Sequence, residues 1–379
     1  MKVLLVLDVF SPLGGGVSSV VFKLANKLAF QGHDVTIYST DDKRDEKFLA
    51  ELDSRVKVVQ FKTWLRFGGM NFAPGAILGS LKVKGFDVVH YHSYTSFINI
   101  PISFFAKLFS VPTIIDCHGN LPGTDAKGRK RFFHDMFGLG MFNQSSFLVA
   151  ETGVGAEEYA ALGGDRQKLI IQHPGFDVED YSTLPSKGAF RAKLGFKENE
   201  KMIFFLGRLH EIKGLDFLVK AFTELAKKRD DVKLVLAGPD DGFKPQLDKI
   251  VSENNLEDKI LFPGFMNHQQ KMEALVDADI FVQPSRYEQG IAHTTIEALL
   301  CDLDVVATSG NGAAEDLERM KAAQLVPYGD NSSLIDAIEK ALEGTDDVKA
   351  LTKSGKDYIF ENLALNKTVL KFEDLYKRA

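Results

Sequence analysis

Short apolar runs, each stopped by glycine, proline or a polar residue, alternate along the chain with longer stretches whose apolar residues recur at helical spacing. Runs at residues 3–7, 35–38, 56–61, 88–91, 113–115, 147–150 and 169–171 predict the strands of a first domain. Runs at 202–206, 234–237, 260–262, 280–282, 305–307 and 324–326 predict those of a second. Between the first two runs, Val17, Val20, Val21, Leu24 and Leu28 mark one face of a helix over residues 17–31, and Gly32 supplies its stop. Leu215, Leu218, Phe222 and Leu225 mark another. Strands and helices that alternate almost throughout imply α/β architecture with parallel sheets covered on both faces. No repeat of short period interrupts the pattern.

A chain of 379 residues is too long for one ordinary core and suits two domains. Pro174-Gly175 and Pro185 are both plausible hinges, and the expected division is 1–174 and 175–359. A net charge of -6 argues against wholesale nucleic-acid binding. Cys117 and Cys301 fall in different domains and read as free thiols of a reducing compartment. Asp8 interrupts the opening apolar stretch, which reads as a first strand and not as a secretion signal. The longest apolar tract, 97–115, contains Pro101, Lys107 and Pro112 and should not span a bilayer. The expected location is cytoplasmic.

Candidate chemistry concentrates in the second domain. Arg208 follows the predicted strand 202–206, and Lys213 stands at the start of the next helix. Both cations therefore address the crevice where open α/β sheets take ligands, and together they suit a diphosphate. Two solvated charges capping a loop are the plainer reading of the same residues. The stretch 284–298 leads into a helix starting near Thr294, whose unpaired amides favour an anion. Glu297, one turn inside, suits the two hydroxyls of a ribose, although Thr294-x-x-Glu297 equally fits a capping box.

In the first domain, Gly14-Gly15-Gly16 would let a main chain approach a ligand closely. The triplet matches a dinucleotide fingerprint poorly, since Ser19 stands where the third glycine belongs; Asp41 or Asp42 keeps a nicotinamide reading open. His118 follows a strand at its ligand-facing end. His90 and His92 share a strand face but lack a third zinc ligand in sight. The segment 128–142 mixes a basic cluster with aromatic residues, fitting either a helix on an anionic membrane or a core-facing helix with a solvated basic end. Trp64, Phe67, Met70 and Phe72 form an apolar loop.

In this order, the glycine turn, Asp87-Val-Val-His90-Tyr-His92, Asp116-Cys-His118-Gly119, Gly207-Arg208, Lys213-Gly214, Gly238, Pro263-Gly264-Phe265, Pro284-Ser285 and Glu297-Ala298 resemble the retaining glycosyltransferases of family 4. The resemblance covers most of the chain. It implies the GT-B fold, two Rossmann-like doubly wound domains facing a central cleft, with a terminal helix at 360–379 returning to the first, acceptor-binding domain. It also implies transfer of a hexosyl unit from a nucleotide diphosphate sugar to a hydroxyl acceptor, without an obligatory metal. UDP-sugar is favoured, GDP-mannose is possible, and the acceptor suits a lipid-linked or polysaccharide glycan, which would put the enzyme on a membrane periphery. The implied catalytic residues are His118, Arg208, Lys213 and Glu288. Donor contacts fall to Gly15, Gly16, Arg208, Lys213, Gly238, Gln289, Gly290, Ile291, Ala292, His293, Thr294 and Glu297, and acceptor contacts to His92 and Asn120. The family separates two glutamates by seven residues, a spacing that places Gln289 first here and Glu288 one position further away. Either Glu288 reaches the sugar by a local backbone adjustment, the preferred reading, or Gln289 substitutes. A sugar-nucleotide epimerase and a noncatalytic nucleotide-sugar-binding subunit are the alternatives.

Overall fold

The computed structural model describes residues 1–67, 70–122, 128–290 and 292–379, without the side chains of Phe67 and Arg129, and these form two compact units. Unit 1 comprises Met1–Asp177 and Leu363–Ala379; unit 2 comprises Val178–Asn362.

Unit 1 contains β1 (Lys2–Val9), β2 (Asp34–Thr40), β3 (Lys57–Phe61), β4 (Leu65–Phe67), β5 (Met70–Phe72), β6 (Val88–Tyr91), β7 (Thr113–Asp116), β8 (Phe147–Ala150) and β9 (Leu169–Ile171). Seven of them form one sheet of parallel pairs in the order β3-β2-β1-β6-β7-β8-β9. Residues expected in an apolar loop instead form the antiparallel hairpin β4-β5, with Leu65 opposite Phe72. Alternation along β1 feeds two cores. Val3, Leu5 and Leu7 pack with Val21, Leu24 and Leu28 of the helix Gly16–Phe30, while Leu4 and Val6 pack with Tyr38, Tyr91, Phe133 and Phe142. Segment 128–142 turns Phe133 and Phe142, each 1% exposed, into the core, while Phe132 and Met136 stay 60% and 55% exposed beside the exposed Lys130 and Arg131.

The terminal helix Leu365–Arg378 adds Val369, Phe372 and Tyr376 to the first of these cores. Its entry is fixed at Gly175, where φ is +89° and an added Cβ would lie 1.9 Å from Thr368 Oγ1. Only glycine permits both the conformation and the approach. Phe176 and Leu365 exchange backbone hydrogen bonds beside it, donating to the carbonyls of Leu363 and Phe176 respectively.

Unit 2 contains β10 (Lys201–Leu206), β11 (Val232–Ala237), β12 (Ile260–Gly264), β13 (Ile280–Gln283), β14 (Asp304–Thr308) and β15 (Gln324–Val326). They form a parallel sheet in the order β12-β11-β10-β13-β14-β15. Helix Leu215–Lys228 buries Leu218, Phe222 and Leu225 completely against it, each contributing about 1.5–3 kcal/mol. The strand order reverses between β10 and β13, so their carboxyl ends open the crevice of a doubly wound sheet. Arg208, Lys213 and the stretch after Pro284 all leave from those two ends.

Candidate functional site

β10 runs into Gly207 and Arg208, then into the tight turn Glu211–Lys213, and Gly214 in the left-handed region starts the following helix. This geometry delivers Lys213 to Glu288, with Nζ donating to Oε1 at 2.5 Å; the two side chains are 18% and 15% exposed. Glu288 Oε1 also accepts from Ser285 Oγ at 2.7 Å and Gln283 Nε2 at 3.1 Å. Gly312 N donates to the Glu288 carbonyl at 2.7 Å, pinning the loop from behind. Glu288 thus sits among three donors, an arrangement that suits a carboxylate in a half-shielded site. Arg208 forms a more exposed ion pair with Asp241.

The helix after β13 is His293–Leu300, capped by Ala292 without a side-chain hydrogen bond. The capping box therefore does not form. Glu297 falls too far inside the helix to close it and instead accepts from Lys271 Nζ at 2.5 Å. Gln289, Gly290, His293 and Thr294 are half-buried around this helix start and Ala292 is buried, while Ile291 lies outside the described residues. Gly238 has a packing reason: at φ +135°, an added Cβ would lie 1.8 Å from the Gly207 carbonyl oxygen.

In unit 1, Gly15 at φ +75° caps the first helix, and there is open space around the Cβ positions of both Gly15 and Gly16. Beyond β7, His118 and Gly119 take φ +46° and +71°, and the Asn120 amide donates to the Cys117 carbonyl at 2.9 Å. Two successive positive φ values fit a type I′ turn. His118 does not present its ring as the sequence implied. Its Nδ1 meets Glu151 Oε1 at 2.9 Å, its Nε2 shares a hydrogen bond with His92 Nδ1 at 2.9 Å, and the side chain is 5% exposed. His92, expected to touch the acceptor, is fully buried and stacks on His118. The turn thus exposes Gly119 and Asn120 to solvent while the imidazoles support it from below.

Glu151, Tyr376 and Lys271 were not singled out in the sequence, and Asp116 entered only within the motif that carries the resemblance. Glu151 directly follows β8, the same position after a strand that singled out His118, so that signal was available. The fold also supplies the third ligand that was lacking beside His90 and His92. Among the described residues, His90, His92 and Asp116 bring ligand atoms within 4.8 Å of one another, as do Asp116, His118 and Glu151. His90 Nδ1 meets Tyr376 Oη at 2.9 Å. His90 Nε2, His92 Nε2 and Asp116 Oδ2 are buried with no protein partner, so an internal water or a cation would satisfy them.

Burial and the nearby Glu151 push Asp116 up to about 7, against the opposing pull of His118. Burial pulls His118 down, but Asp116 and Glu151 outweigh it and raise this imidazole. Burial, reinforced by His118, holds His90 down at about 3. Because that value lies below the unfolded one of 6.5, the neutral His90 stabilises the fold fully above pH 6.5, and this contribution is lost as pH falls toward 3. The stability difference between the wild type and His90→Gln is therefore expected to shrink by about 1.4 kcal/mol per pH unit below 6.5. Urea denaturation of both proteins between pH 4 and pH 8 checks this; a pH-independent difference contradicts it.

The family model for group 1 glycosyl transferases matches residues 186–358, and the model for glycosyltransferase family 4 matches 14–180. The chain is 26% identical to an alpha-monoglucosyldiacylglycerol synthase of Streptococcus pneumoniae, covering 98% of this chain and 85% of that one. It is 26% identical to a D-inositol 3-phosphate glycosyltransferase of Jonesia denitrificans, covering 83% and 79%. Among solved structures, Anabaena HepE in complex with UDP and glucose superposes with a TM-score of 0.83 at 18% identity, over 100% of both chains. Sucrose-phosphate synthase from Thermosynechococcus elongatus gives 0.78 at 18% identity, over 100% and 98%. Two doubly wound units of the GT-B type, with the two family patterns falling on successive parts of the chain, make this protein a family 4, group 1 glycosyltransferase that transfers sugar from a nucleotide sugar.

Proposed function

We propose that the enzyme transfers a hexosyl unit, with retention, from a nucleoside diphosphate sugar to the hydroxyl of a lipid-linked or polysaccharide acceptor. UDP is the favoured nucleotide, supported by the UDP and glucose held by HepE. The observation that carries the reading is Lys213 paired with Glu288 at the strand-order reversal.

In this reading Arg208 and Lys213 exchange Asp241 and Glu288 for the diphosphate oxygens. Glu288, released from the ammonium, then accepts a sugar hydroxyl, while Gln289 and the amides around Thr294 face the phosphates. Within unit 1, Gly15 and Gly16 leave room for close backbone approach by a ligand, and the turn at His118 offers exposed backbone. Both cations and the helix start stabilise charge that grows on the leaving group, so most of their contribution belongs to the transition state. No metal is required for that step, and no covalent nucleophile is assigned. The Arg208–Asp241 pair is exposed, so releasing it costs under about 1 kcal/mol. Asp241→Asn is accordingly expected to tighten nucleotide binding by roughly twofold to fivefold, read by calorimetry; weaker binding contradicts the exchange.

A lipid-side acceptor is supported by unit 1. Leu78, Phe104 and Leu108 are 73%, 63% and 61% exposed on two packed helices, beside exposed Lys82, Lys84 and Lys107. Exposed apolar side chains interspersed with lysines suit an anionic bilayer surface, which co-sedimentation with anionic and zwitterionic vesicles tests. No described helix is long and apolar enough to cross a membrane.

A thermal-shift screen of nucleotide sugars, with and without magnesium, tests the donor. A ligand present at about a hundredfold its Kd adds about 2.7 kcal/mol. Stabilisation by UDP-sugars without magnesium supports the reading; no response to any nucleotide sugar contradicts it. Product analysis with and without acceptors then separates transfer from epimerisation.

A further inference from the structure

Glu297 is reached by two side chains from outside both phosphate-facing stretches. Lys271, on the helix His268–Asp277, donates to Glu297 Oε1 at 2.5 Å, and the two side chains are 21% and 16% exposed. Tyr181, from the short turn Val178–Tyr181, is 8% exposed and a neighbour of the same carboxylate. A carboxylate offers about four acceptor positions. The ammonium occupies one, and the neighbouring phenol can take at most one more, leaving at least two for a vicinal pair of hydroxyls.

The lysine is not needed to build its own helix. The capping box of Asn267 with Gln270 fixes the helix start, and Met272, Leu275 and Val276 anchor it in the core. A partly shielded ion pair that its own helix does not need for capping or burial, placed on a residue assigned to the ligand, marks a positioning device. The charge partner holds Glu297 in one rotamer before the ligand arrives, so less ordering is left to binding.

We propose that Lys271, assisted by Tyr181, positions Glu297 to accept both ribose hydroxyls and thereby makes the enzyme select ribonucleotides over 2′-deoxyribonucleotides. The proposal rests on the reading that Glu297 meets the ribose. A site built to bind a hydroxyl rejects the analogue lacking it because its own polar group is left unpaired.

Calorimetric titration with UDP and with 2′-deoxy-UDP tests this in the wild type, Lys271→Met, Lys271→Arg and Glu297→Gln, each checked for an unchanged melting profile. The wild type is expected to prefer UDP by roughly tenfold to a hundredfold, the range of a hydrogen bond to a charged group. Lys271→Met should weaken UDP binding by a similar factor and reduce the preference to under about threefold, while Lys271→Arg restores most of both. If Lys271→Met keeps the wild-type preference while Glu297→Gln loses it, the role of Lys271 is overturned and the ribose reading stands. If Glu297→Gln also keeps the preference, the ribose reading itself fails.

Discussion

Replacing Arg208 and Lys213 together by alanine is expected to lower kcat/KM for sugar transfer about a thousandfold. Each charge-assisted contact to a phosphate oxygen contributes on the order of 1.5–3 kcal/mol when partly shielded. Two such contacts that strengthen as the diphosphate departs therefore account for roughly 3–6 kcal/mol of barrier, and each 1.36 kcal/mol is tenfold in rate. The single variants should not be equivalent. Lys213 is 18% exposed and Arg208 is 58% exposed, so the lysine acts in the lower dielectric and its loss should cost more. Lys213→Ala also strands Glu288 with only Ser285 and Gln283 as donors. Initial rates of nucleoside diphosphate release, with the melting temperature as a folding control, check the order. A double variant that transfers at the wild-type rate removes these cations from the mechanism.

The second large effect concerns folding. Gly238→Ala is expected to destabilise unit 2 by at least about 4 kcal/mol, a large share of the 5–15 kcal/mol typical of a domain. A side chain at φ +135° is strained by about 1–3 kcal/mol before any contact is considered. Its Cβ would also lie 1.8 Å from the Gly207 carbonyl oxygen and 2.7 Å from its carbon, and backbone atoms cannot swing aside as a flexible side chain can. Gly207 N and Gly238 N donate to the carbonyls of Ala237 and Gly264, so the crowding falls where the ends of β10, β11 and β12 are stitched together. Gly15→Ala provides the comparison. It has φ +75° but open space, and should cost only the conformational part, about 1–2 kcal/mol. Equilibrium urea unfolding checks both, and a Gly238→Ala protein as stable as Gly15→Ala contradicts the steric account.

Features set by local pattern were legible in the sequence. Strands buried on both faces appear as uninterrupted apolar runs such as Met202–Leu206, and the cations at their carboxyl ends follow within a few residues. Features set by distant partners were not. His90 meets Tyr376 from a helix 286 positions away, and Lys271 meets Glu297 from a neighbouring helix whose lysine looks like any solvated charge. The orientation of His118 was hidden for another reason: its ring direction follows from a left-handed backbone at a non-glycine residue and from two buried partners, Glu151 and His92, that follow other strands. The capping-box pattern at Thr294 failed because the helix starts at His293, which shifts Glu297 out of the capping position. The β4-β5 hairpin went unread although Gly68-Gly69 lies between its apolar arms, a recognised hairpin signal.

The most direct test is calorimetric titration of the wild type and the Arg208→Ala/Lys213→Ala protein with UDP in the presence of EDTA. The wild type is expected to bind UDP saturably without any divalent cation, and the double variant at least about a hundredfold more weakly. Equal affinities in the two proteins, or wild-type binding that appears only when magnesium is restored, would contradict it.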